Sequence, residues 1–126
     1  MEQVYAIFEQ WLQAVNQGDL QTLLGLYDSQ AVLIPTFSER PLSTPAELKR
    51  YFESLAQREG LRIVFEPQTL IIQPIHASVF ILSGVYEWRF LVEGKEQRLK
   101  ARFSYVVDLS RPAPILHHHS SQVPNA

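Results

Sequence analysis

The chain is 126 residues long, 46% apolar and 19% charged, with a net charge of −2 and no cysteine. That is the length of one domain, residues 1–126, with ordinary globular composition, and about two-thirds of the unfolded surface is buried at this size. The slight acidic balance argues against nucleic acid and anionic membranes as partners. The lack of cysteine excludes disulfides, thiol catalysis, iron–sulfur clusters and thiolate zinc sites.

Val4, Ile7, Phe8, Trp11, Leu12 and Val15 recur every three or four residues and predict an amphipathic helix over 2–16. The segment has neither the basic start nor the unbroken apolar run of a signal peptide, and no apolar run approaches the ~20 residues of a membrane span. The expected compartment is the cytoplasm. Gly18 suits a helix C-cap, and Asp19 can cap a second short helix over 20–27. Residues 31–34, Ala-Val-Leu-Ile, read as a strand closed by Pro35, and 36–42 as a loop. Ser43 or Thr44 caps a third helix reaching about Arg58, with Pro45 and Glu47 in its first turn and Gly60 as its stop.

From Leu61 the apolar period changes from helical spacing to two. Strands are expected over 62–65, 69–73, 78–82 and 86–92, then a turn at Glu93-Gly94, then 98–108 and 115–121, with 123–126 as a tail. In the long strand, Ala101, Phe103, Tyr105 and Val107 alternate with Lys100, Arg102, Ser104 and Val106. Helices first and strands after mean an α+β fold, and no glycine-rich phosphate loop is present. The expected architecture is a cone: N-terminal helices packed on a strongly curved antiparallel sheet, leaving a pocket at the wide end. No cofactor and no metal are expected.

Four stretches carry a resemblance. They are Glu9-Gln10-x-x-x-Ala14-x-x-x-Gly18-Asp19, Tyr51-Phe52-Glu53, Ala101-Arg102-Phe103-Ser104, and His117-His118-His119-Ser120-Ser121-x-x-Pro124. Together the sequence resembles the association (hub) domain of calcium/calmodulin-dependent protein kinase II, and still more its free-standing bacterial relatives, within the nuclear transport factor 2-like superfamily. The resemblance implies the cone fold, a homodimer or larger ring, and a pocket for a small carboxylate ligand. It also implies departures: Ser120 stands where the animal hub can have a pocket arginine, and Leu48 and Ala56 stand in place of its pocket histidine and tryptophan.

The candidate ligand-binding residues are Glu9, Tyr86, Arg89, Arg102 and His118. Glu9 reads as a solvent-facing helix residue or, by the resemblance, as a pocket acid whose pKa burial would raise. Arg102 has apolar neighbours, so it must find an acidic partner or a ligand carboxylate; Arg89 competes for that role. His117 and His119 share one strand face and His118 takes the other. His117, His119, Phe103 and Tyr105 are expected at a subunit interface built through the sheet. Trp11, Tyr27, Tyr86 and Trp88 read as core or cavity wall, and Asp28 as a cap or surface acid. The functional expectation is an oligomerising module with a small-molecule pocket. The alternative is a cofactor-free enzyme of the polyketide-cyclase or ketosteroid-isomerase type, working through one acid–base residue.

Overall fold

A computed structural model describes residues 2–124; Asn125 and Ala126 of the expected tail, and Met1, lie outside the described residues. The chain runs α1 (Glu2–Gln17), α2 (Leu20–Gly25), β1 (Tyr27–Ile34), α3 (Pro45–Ala56), β2 (Arg62–Phe65), a single 3-10 turn (Pro67–Thr69), β3 (Ile71–His76), β4 (Val79–Val92), β5 (Lys95–Asp108) and β6 (Ile115–Gln122). The stripe on α1 buries Val4, Phe8, Trp11, Ala14 and Val15. Gly18 ends that helix at φ +67, a left-handed conformation that a side chain would strain. The Asp19 carboxylate then accepts from Thr22 N at 3.1 Å and starts α2. Thr44, rather than Ser43, caps α3. Its hydroxyl accepts from Glu47 N at 3.2 Å, and the Glu47 carboxylate accepts in return from Ser43 N at 3.1 Å.

The strands form one sheet in the order β1-β6-β5-β4-β2, with β3 pairing the other half of β4. The two strands expected over 78–82 and 86–92 are one, β4, because β5 pairs it without interruption from Val79–Asp108 to Val92–Lys95. The strand expected at 69–73 begins two residues later, since Pro67 turns the chain into the 3-10 turn. The sheet is mixed rather than wholly antiparallel. β1 precedes α3, and β6 returns beside it in the same direction, so Val32 pairs with His117 and Ile34 with His119 in parallel register.

One face of the sheet is lined by Leu82, Tyr86, Trp88, Ala101, Phe103, Tyr105 and Val107, all buried under α1. Phe8 stacks on Phe103 at 5.0 Å, and Trp11 on Tyr86 at 5.5 Å. The Phe103 ring lies over Gly84, where an added Cβ would meet its Cζ at 2.8 Å and Thr69 Oγ1 at 3.1 Å. Gly84→Ala is therefore expected to push Phe103 off its stack and cost about 1–3 kcal/mol of stability. A denaturant midpoint equal to that of the unmodified chain would remove this account of Gly84.

Candidate functional site

His118 is 2% exposed and stands at the centre of the cone. Three elements far apart in sequence enclose its ring. Tyr27, at the start of β1, lies with its hydroxyl 2.8 Å from Nδ1, and Tyr86, on β4, with its hydroxyl 3.1 Å from Nε2. Tyr105, on β5, stacks on the ring at 3.9 Å. Trp11 of α1 donates its indole N–H to the Tyr27 oxygen at 2.9 Å. Because the Tyr27 oxygen already accepts from Trp11, we assign the Tyr27 proton to Nδ1 of His118 and Nε2–H to the Tyr86 oxygen. Burial, reinforced by His117 and His119, holds His118 well below the ordinary histidine range, so it is neutral. Burial likewise pushes the phenols of Tyr27, Tyr86 and Tyr105 up. The Tyr105 hydroxyl is buried without a hydrogen-bond partner.

A second polar chain runs beside the first. Trp88 donates its indole N–H to Thr36 Oγ1 at 3.2 Å, and Thr36 is hydrogen-bonded to Ser120. Between the two chains a cavity of roughly 10 Å³ is bounded by Trp11, Tyr51, Tyr86, Trp88, His118 and Ser120. That is room for one water.

The wider space lies at the mouth. Phe37, in the loop after β1, packs edge-on against Trp88 at 5.7 Å and Phe90 at 5.9 Å. The Arg58 guanidinium lies 4.2 Å over its ring, a cation–π contact. Outside Phe37 is a cleft of about 300 Å³, walled by Arg40, Leu42, Glu47, Arg50 and Tyr51. A recess of about 50 Å³ continues it between Phe37, Tyr51 and Arg58. Tyr51 borders the cleft, the recess and the inner cavity, and burial pushes its phenol up to about 12. Glu47 is the acid of the cleft. It accepts from Ser43 N and Thr44 Oγ1 and pairs with Arg40 at 3.6 Å, and these contacts hold its carboxyl below the usual range. Arg50 makes no ion pair among the described residues.

Of the residues singled out from sequence, the structure brings Tyr86 and His118 together inside the cone. Glu9 is exposed on α1, away from it. Arg89 and Arg102 lie on the outer sheet face: Arg89 pairs with Glu87 at 2.7 Å, and Arg102 stands opposite Val85 and Ser121. Neither arginine can anchor a ligand in the cone, because alternation turns each away from the aromatic face. Phe103 and Tyr105 are buried beneath α1 and so do not form an outer interface, whereas His117 and His119 do lie on the outer face. Asp28 accepts from Gln30 N and Arg111 at the surface, which keeps it low. The hydroxyls of Tyr27 and Tyr105 and the mouth cations Arg40, Arg50 and Arg58 escaped the sequence reading.

A cone of curved sheet closed by α1, holding a polar cluster at its centre, defines the nuclear transport factor 2-like class. Residues 4–126 match the SnoaL-like domain model, and the chain belongs to that family. No curated protein matches the chain. Among solved structures it is similar to a candidate calcium/calmodulin-dependent protein kinase II association domain from Xanthomonas campestris. The two share 25% identity and a TM-score of 0.85, over 98% of this chain and 88% of that one. It also shares its fold with a candidate dehydratase of the nuclear transport factor 2-like family from Streptomyces avermitilis, at 13% identity and TM-score 0.83 over 98% and 96% of the two chains. A ketosteroid isomerase-like protein from Erwinia carotovora atroseptica has it as well, at 14% identity and TM-score 0.79 over 96% and 94%. Among the described residues no helix is long and apolar enough to cross a membrane.

Proposed function

We propose that this chain is an assembling, ligand-binding domain: a hub-type module that pairs with a second copy through its sheet and takes a small organic acid at the mouth of its cone. The observation that carries the reading is the cleft outside Phe37. It has the lower volume of a small-molecule site, an aromatic wall, and two guanidinium groups, of which Arg50 has no acidic partner among the described residues. The ligand's carboxylate pairs with Arg50 and its apolar body lies against Phe37 and Tyr51. Pairing is supported by the outer sheet face, where Val32, Ile34, Ile81, Val85, Val106 and the 60%-exposed Ile71 stand among serines and histidines, with the ion pairs Glu87–Arg89 and Glu96–Arg98 farther along the same face. A second copy covering about 800 Å² of it would match an ordinary interface. The likeness to the Xanthomonas campestris association domain supports the same reading.

The neutral His118 imidazole between two tyrosyl hydroxyls favours a second reading, a small enzyme that relays a proton through His118. Among the described residues the cone holds no carboxylate base, and the inner cavity is too small for a substrate.

Calorimetric titration with small carboxylic acids and their amides tests the first reading. A charge-assisted pair contributes roughly 1.5–3 kcal/mol, so Arg50→Ala is expected to weaken acid binding by roughly 10- to 150-fold. Arg50→Lys restores part of the loss, since an ammonium does not reproduce the planar fork. Acid and amide binding equally well would sink the proposal.

A further inference from the structure

The outer sheet face carries a square of hydrogen-bond donors that neither the cone nor its mouth uses. Arg102 stands directly across from Ser121, and Ser104 from His119, on adjacent strands β5 and β6. Directly opposed residues share a face, about 5 Å apart across the strands and about 7 Å apart along them. These four side chains border a hollow of about 230 Å³ with no carboxylate in its wall among the described residues. Arg102 makes no ion pair among the described residues.

The acids of the same face are already committed. Glu87 accepts from Arg89 at 2.7 Å. Glu96 is bound by Arg98 and lies 3.7 Å from Arg62. Asp108 accepts from Ser78 and Ser110 at 2.7 Å each and pairs with Arg111 at 3.4 Å. A second copy laid on this face brings the same acids, equally committed. It therefore has no strand carboxylate to spare for Arg102, and covering an unpaired guanidinium is costly.

We infer that the Arg102–Ser104–His119–Ser121 hollow binds a phosphate-type oxyanion, and that this ion neutralises Arg102 in the seam between two copies. A tetrahedral oxyanion resting on the face turns three oxygens to the four donors, each with lone pairs for more than one, whereas a planar carboxylate has only two. The linkage to assembly rests on the pairing proposed above; the ion site itself does not. Because the ion binds the pair better than the single chain, it strengthens association by mass action.

The test is sedimentation equilibrium at pH 7 in chloride, acetate and inorganic phosphate at matched ionic strength, with the His119 ring signals followed by NMR in the same samples. For the unmodified chain, phosphate is expected to shift the His119 signals and raise the association constant about tenfold or more over chloride, with acetate well behind. Arg102→Ala should lose the phosphate response yet associate in chloride at least as well as the unmodified chain, because the unpaired charge is gone. Arg102→Lys should keep part of the response. A dimer that ignores phosphate, or a full response in Arg102→Ala, overturns the ion site and leaves pairing standing. A monomer in every buffer overturns pairing, and the ion site then stands or falls with the His119 shift.

Discussion

Acidification from pH 7 to pH 5 is expected to destabilise the chain well before its carboxylates titrate, and His118 is the reason. The groups that face its ring are Trp11 from α1, Tyr27 from β1, Tyr86 from β4 and Tyr105 from β5, with no carboxylate among the described residues to welcome a proton. Its folded pKa lies well below the ordinary value, chiefly through burial, so the folded chain holds fewer protons than the unfolded one. Stability is therefore complete above about pH 6.5 and is lost as pH falls below it, by about 1.4 kcal/mol for each unit, until the folded value is reached. His117, lowered by partial burial and by His119, adds a smaller loss of the same sign. Asp28, Glu47 and Asp108 are held low, so their contributions vanish only as pH falls through about 4 and below. The check is a series of urea unfolding curves at fixed protein concentration, for the unmodified chain and for His118→Gln. The glutamine variant should be weaker at pH 7, because it cannot span both tyrosines, but nearly flat from pH 7 to 5. A flat profile in the unmodified chain, or an unchanged slope in the variant, would refute the assignment.

The elements were legible because their signals are local. The α1 stripe, the Thr44–Glu47 cap and the alternation of Ala101, Phe103, Tyr105 and Val107 each repeat within one segment. Which face of that alternation turns inward is a tertiary fact: it is decided by Phe8 and Trp11, about 95 positions away, packing on the aromatic face. Arg102 illustrates the cost of missing this. Its flanking Ala101 and Phe103 suggest an apolar setting, yet in a strand the flanking residues are those that share no face with it. The site is less legible than the fold for the same reason. Tyr27 and His118 meet across 91 positions and Tyr86 and His118 across 32. Arg40 comes from a loop, Arg50 from the exterior of α3 and Arg58 from the turn after it, where a charge carries no periodic signal. What the chain did announce was the indole and phenol content of the cone, because buried tryptophans and tyrosines bring polar tips that must find partners.

Removing the Trp11 side chain should be the most damaging single change to the fold. Its indole is wholly buried, stacks on Tyr86 at 5.5 Å, and meets Tyr105 and His118 edge-on at 5.7 and 5.3 Å. A domain of this size is stabilised by about 5–15 kcal/mol, and burying alanine in place of tryptophan costs about 3–5 kcal/mol through lost transfer and the cavity left behind. Trp11→Ala is thus expected to lose a fifth or more of the stability, or to fold only at low temperature. Trp11→Phe separates packing from hydrogen bonding. The phenyl ring keeps most of the apolar contact but supplies no donor to the Tyr27 oxygen, and an unmet buried acceptor costs about 1–3 kcal/mol. Without the Trp11 N–H, the Tyr27 oxygen is free to accept from Nδ1–H of His118, so both imidazole tautomers become compatible with the cluster. Nitrogen NMR of the labelled histidines reads this directly: a single tautomer with Nε2 protonated in the unmodified chain, and a mixture in Trp11→Phe. A Trp11→Ala chain within 1 kcal/mol of the unmodified one, or a Trp11→Phe chain with an undisturbed single tautomer, would show that Trp11 neither anchors the core nor orders His118.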